Sequence, residues 1–109
     1  MSEQDFNKRV QDLVEAEGGY IIKVISSNRS GTHDMLACIN GRFCSLEGKL
    51  DYNKLSALQI AHRTKVINAG GLASGIKTLD DVRRMIKWAK TGYIQKIENE
   101  QGQLKTFSL

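Results

Sequence analysis

The stretch Gly31–Lys49, GTHDMLACINGRFCSLEGK, decides how the chain folds. Its centre, Asn40-Gly41, stands between two runs of apolar and β-favouring residues. Asn-Gly in that setting marks a two-residue hairpin, because a type I′ turn needs positive φ at both central positions. With those two residues in the turn, Ile39 faces Arg42, and the same antiparallel register carries Asp34 opposite Glu47. Opposed residues share a face, with Cβ atoms about 4.5–5.5 Å apart. Lys49, two residues beyond Glu47, lies on that face too. Two carboxylates about 5 Å apart repel by roughly 3 kcal/mol at an effective dielectric of about 20. A hard divalent cation such as Mg²⁺ suits oxygen ligands of this kind and would offset the repulsion. A longer loop would slip the register by one and part the acids onto opposite faces, leaving ordinary charges at a solvated strand end.

Outward from the hairpin, three helices announce themselves by the same punctuation. Each starts at a capping box or a close relative: Ser2-x-x-Asp5, Ser56-x-x-Gln59 and Thr78-x-x-Asp81. Each stops at glycine: Gly18-Gly19, Gly70-Gly71 and Gly92. The expected spans are 3–17, 56–69 and 79–91. The first carries the apolar stripe Phe6, Val10, Leu13, Val14, the third Leu79, Val82, Ile86, Ala89, and the second has little sidedness. Tyr20–Ile25 is apolar and β-branched and predicts a strand, followed by a polar loop at 26–30. Leu72–Ile76 predicts a strand returned by a crossover. The order is α-β-β-β-α-β-α, an α/β fold with a sheet flanked by helices. The tail from Tyr93 is consistent with a second hairpin about 99–102.

At 109 residues the chain is expected to form a single domain, 1–109, with one core. Its 40% hydrophobic and 26% charged fractions are those of a soluble globular protein. No apolar run approaches bilayer length and no signal peptide opens the chain, so a cytoplasmic protein with no membrane partner is expected. The net charge of +4 is uneven. Residues 1–50 hold six Lys and Arg against seven Asp and Glu, and residues 51–109 hold ten against five. A basic half beside an acid pair is compatible with a polyanion held near a metal. Cys38 and Cys44 are out of register, point to different faces and form no zinc spacing, so both are read as small buried residues in reduced form.

Gly31-Thr32-His33-Asp34, then Glu47-x-Lys49, Ser56-x-x-Gln59 and Ala69-Gly70-Gly71 together resemble the virus-type replication-repair nuclease (VRR-NUC) family. That family belongs to the PD-(D/E)xK nucleases, with a restriction-endonuclease-like core. The resemblance runs from Glu3 to the third helix, the extent of the minimal stand-alone form found in phages, which would place the protein in a host cytoplasm. Each element alone is common by chance; the ordered set is more specific. The resemblance implies metal ligation by Asp34 and Glu47, with Glu3 completing a second metal position. It implies that Lys49 orients the attacking water or offsets charge on the phosphate, and that Gln59 works beside the site. Lys23 matches a lysine on the first strand. Each residue also has a plainer reading: Gln59 closes a capping box, and Glu3 favours a helix start. Two departures stand out. His33 replaces the usual proline, which leaves the approach to the strand looser or adds a polar group near the phosphate. Gly48 replaces a residue more often apolar, and weakens the strand unless something packs closely on it.

The expected function is therefore Mg²⁺-dependent hydrolysis of DNA phosphodiesters, with Mn²⁺ able to substitute. The resemblance suggests branched DNA such as a four-way junction. Lys23, Arg29, Ser30, Lys54 and Arg63 would contact the DNA backbone, with His62 and Lys65 in the same patch. Paired cuts on a two-fold junction imply a homodimer, for which Trp88 and the apolar tail residues of 93–109 are the expected contact. A non-catalytic nucleic-acid-binding module on the same fold, or a metal-stabilised structural protein, are the alternatives.

Overall fold

The computed structural model describes residues 2–49 and 55–97. Its elements are α1 (Glu3–Ala16), β1 (Tyr20–Lys23), β2 (Met35–Ile39), β3 (Arg42–Gly48), α2 (Ala57–Asn68), β4 (Leu72–Ile76) and α3 (Leu79–Thr91). All three capping boxes form, each with both reciprocal hydrogen bonds. Glycines with positive φ follow α1 and α2, at Gly18 and Gly70, and Gly92 itself caps α3. The expected order of elements is thus the observed one.

The hairpin has the expected register, from Ile39 opposite Arg42 to Met35 opposite Leu46. Asn40 (φ 52°) and Gly41 (φ 78°) supply the two left-handed positions. β1 joins β2 antiparallel, and β4 runs parallel to β3 after the α2 crossover, giving a mixed sheet in the order β1-β2-β3-β4. β1 is shorter than expected. After Lys23 the last rung is Val24 N–H to the Asp34 carbonyl at 2.7 Å, and Ile25 beyond it is 88% exposed.

One face of the sheet holds Met35, Ala37, Ile39, Cys44, Leu46, Leu72 and Ile76, closed by Val10 and Val14 of α1 and by Val82, Met85, Ile86 and Ala89 of α3. The other face is covered by α2, whose Val66 and Ile67 pack on Ala73. That small contact explains the weak sidedness of α2, which buries only these two residues. Cys38 departs from expectation: it is exposed, while Cys44 is buried and its thiol pushed up to about 11 by that burial.

Trp88 was expected at a dimer contact. It is half-buried, packs on the main core and stacks on Tyr93 with ring centroids 4.5 Å apart. The chain after α3 folds back on its own sheet: the buried Gln95 side chain accepts from Ala73 N–H at 2.7 Å and donates to Ala73 O at 3.0 Å. Arg42 fixes the same segment by donating to the Gly70 and Tyr93 carbonyls. The hairpin expected at 99–102 lies outside the described residues. No helix among the described residues is long and apolar enough to cross a membrane.

Candidate active site

The β2–β3 register continues one step past Met35 and Leu46 to bring Asp34 against Glu47. Glu47 is 3% exposed and hydrogen-bonded to the Asp34 carboxyl. The Glu47 carboxyl is pushed up to about 8. Burial is the main cause; the bond and charge of Asp34 add to it, Glu3 adds a little through space, and Lys49 opposes it. Asp34, Lys49 and Glu3 therefore all act electrostatically on Glu47. Lys49 is fixed at the strand end by its N–H, which donates to the Ile76 carbonyl at 2.9 Å.

Gln59 closes its capping box and serves the acid pair with the same side chain. Its Oε1 accepts from Ser56 N–H at 2.9 Å, its own N–H donates to Ser56 Oγ at 3.1 Å, and its Nε2 donates to Glu47 Oε1 at 2.9 Å. The two sequence readings of this residue were not alternatives. The first turn of α2 must sit close for this, and Gly31 permits it. A Cβ on Gly31 would stand 2.2 Å from the Leu58 carbonyl oxygen, and φ is +80°.

His33 does not loosen the approach to β2. It is fully buried, and its Nε2–H donates to the Gln59 carbonyl at 3.1 Å, pinning the same helical turn from the other side. Burial lowers its pKa to about 4, so the ring is neutral near pH 7. His62 lies against it with ring centroids 4.6 Å apart and shares a 2.8 Å hydrogen bond with the buried Ser45 hydroxyl. His62 is thus part of the support beneath the site rather than of an open patch.

Of the residues expected to meet DNA, Lys23, Arg29 and Ser30 are exposed, Arg63 is half-buried, and Lys54 lies outside the described residues. Arg29 lies near enough to His62 to help lower its pKa, and Arg63 acts likewise on His33, which brings both guanidinium groups to the α2 side of the acid pair. The loop carrying Arg29 is held by its own bonds: Ser27 Oγ to Thr32 Oγ1 at 2.9 Å and Thr32 Oγ1–H to Arg29 O at 2.9 Å.

One residue of this region escaped the sequence reading. Asn7 of α1 is 4% exposed, and its Oδ1 is buried without a hydrogen-bond partner among the described residues. The buried stripe of α1 is Asn7, Val10, Val14, and Glu3 extends it by one turn. A polar residue in an apolar register was the available signal.

The donor set fits a hard divalent cation: it is built of oxygens, and such an ion would offset the charge that burial makes costly at Glu47. Among the described residues no three His, Cys, Asp or Glu side chains gather closely enough to hold a metal, so two carboxylates would be completed by other oxygens.

No family model matches the chain, and no curated protein matches it. A solved structure described as a VRR-NUC domain does: at 25% identity and a TM-score of 0.66, the match covers 78% of this chain and 94% of that one. That match, together with the α-β-β-β-α-β-α order and mixed sheet found here, supports a VRR-NUC domain.

Proposed function

We propose that the protein is a metal-dependent endonuclease acting on DNA, and that branched DNA is its preferred substrate. The observation that carries this reading is the buried Asp34–Glu47 contact with its raised pKa, beside Lys49. A fold has little reason to keep two mutually repelling acids in a desolvated place unless a cation is held between them. Asp34 and Glu47 would hold Mg²⁺ or Mn²⁺, with the Glu3 carboxylate as a further anion on the same side. The bound ion would polarise the scissile phosphate and lower the pKa of water. Lys49 offsets charge developing on the phosphate. Gln59 keeps Glu47 oriented by its 2.9 Å bond, and His33 keeps Gln59 in place. Arg29, Ser30, Lys23 and Arg63 hold the backbone without reading bases. A binding module without catalysis has no use for the acid pair, which disfavours that alternative.

The test is a panel of labelled duplex, flap and four-way junction DNA, with wild type and Asp34→Asn. The variant is expected to lose cleavage while binding DNA equally or more tightly, because one negative charge near the phosphate is gone. Cleavage within about threefold of wild type would overturn the metal-site assignment, since such a residue supplies several kcal/mol.

We infer also that junction cleavage is performed by a symmetric homodimer, which places two sites on a two-fold substrate. Trp88 and Tyr93 are engaged within their own chain, while Ile94 is 62% exposed and available for such a contact. Sedimentation at micromolar concentration should give twice the 12.2 kDa chain mass. A 12.2 kDa species that makes paired nicks would contradict it.

A further inference from the structure

Asn7 and Gly48 face each other across a small opening beside the acid pair. A Cβ built on Gly48 would lie 3.6 Å from Asn7 Oδ1 and 3.8 Å from Asp34 Oδ2, so the two oxygens border one volume above the glycine. Asn7 is nineteen-twentieths buried or more, and among the described residues nothing hydrogen-bonds to its Oδ1. A buried carbonyl without a donor is costly to keep and calls for an explanation such as a water or ion that it binds. Gly48, where an apolar side chain would fill the volume, leaves that volume open. The two features explain each other: a polar acceptor above, no side chain below, and a carboxylate oxygen alongside.

We propose that Asn7 Oδ1 accepts a hydrogen bond from a water in the hydration shell of a divalent cation held by Asp34, and that Gly48 provides the room for it. This rests on the acid pair being a cation site, and deepens that reading by assigning Asn7 a positioning role in it. Mg²⁺ keeps several of its waters when bound, so fixing one of them is a means of fixing the ion. Asn7 stands one helical turn from Glu3 on the same face of α1, and both reach the site from the end of the core stripe.

The experiment measures Mn²⁺ binding at pH 8 by the loss of the free-ion paramagnetic resonance signal, together with melting curves with and without Mg²⁺. The variants are Asn7→Leu and Gly48→Ala. The added methyl of Gly48→Ala meets its neighbours only at ordinary contact distance, and Gly48 is not in a left-handed conformation. Its melting temperature without metal should therefore match or exceed that of wild type. Both variants are expected to bind Mn²⁺ more weakly by about tenfold or more, the usual effect of losing an outer-shell partner, and to show a smaller rise in melting temperature with Mg²⁺. If wild type binds Mn²⁺ and Gly48→Ala binds it within about threefold of wild type, a difference of under 1 kcal/mol, the role of Asn7 and Gly48 is overturned while the cation site stands. If wild type itself binds none, the cation reading falls, and this proposal with it.

Discussion

Glu47→Gln is expected to give a protein that no longer cuts DNA yet melts at a higher temperature than wild type at pH 8 without metal. Glutamine keeps the acceptor that Gln59 Nε2 binds and can donate to Asp34, so the contacts survive while the charge is removed. The loss of cleavage should be about a thousandfold or more, corresponding to roughly 4 kcal/mol of transition-state stabilisation. The gain in stability follows from the pKa. In the folded protein the Glu47 carboxyl sits at about 8, against 4.5 for an ordinary glutamate. Between those values the folded chain holds a proton that the unfolded chain releases, so stability falls as pH rises through the window. His33 works the other way: its pKa of about 4 against the ordinary 6.5 costs stability as pH falls below 6.5. From pH 4.5 to 6.5 these trends oppose, and His62, its pKa also lowered by burial, adds to that of His33. From 6.5 to 8 Glu47 acts alone, and wild type should lose about 2 kcal/mol. Glu47→Gln should show no such slope, and Mg²⁺ should restore stability to wild type alone. Melting curves at pH 6.5 and 8, with and without Mg²⁺, check this; parallel pH profiles for the two proteins would contradict it.

The largest loss of stability is expected at Gly31. Gly31→Ala places a methyl 2.2 Å from the Leu58 carbonyl oxygen in a backbone at φ +80°. The left-handed conformation costs alanine about 1–2 kcal/mol, and pushing α2 away costs about 1–3 kcal/mol more. A total of about 3 kcal/mol lowers the melting temperature of a domain this size by more than about 10 °C. Gly41→Ala is the matching control, with φ +78° and nothing within 4 Å of its Cβ, so it should show the backbone cost alone. Equal melting temperatures for the two variants would mean that the close approach of Leu58 is not a constraint.

What could be read from the sequence was what short-range rules determine. Asn40-Gly41 sets the hairpin register and so places Asp34 opposite Glu47; three capping boxes set three helix starts. What could not be read depends on where a helix lands after a long connection. His33 and His62 look like surface polar residues until α2 is laid over Ser45, and Gln59 looks like a cap or a site residue until the turn that it caps abuts Glu47. Trp88 seemed unclaimed by its own helix because its partner, Tyr93, follows the helix end. Asn7 was overlooked because a polar residue in an apolar register resembles noise until the glycine opposite it is seen.

The bonding of Gln59 ties the onset of a helix to the state of the buried Glu47 carboxyl. Helix ends are where local opening is cheapest, so the first turn of α2 can unwind while the sheet stays intact. When it does, Glu47 loses its oriented donor and His33 its carbonyl acceptor in a single event. Heat inactivation should consequently precede global melting, and amide exchange at Gln59 and Ile60 should slow when a cation occupies the acids. The endurance of the acid pair's setting would then be governed by the first turn of α2, and improving that cap would prolong it without altering the acids themselves.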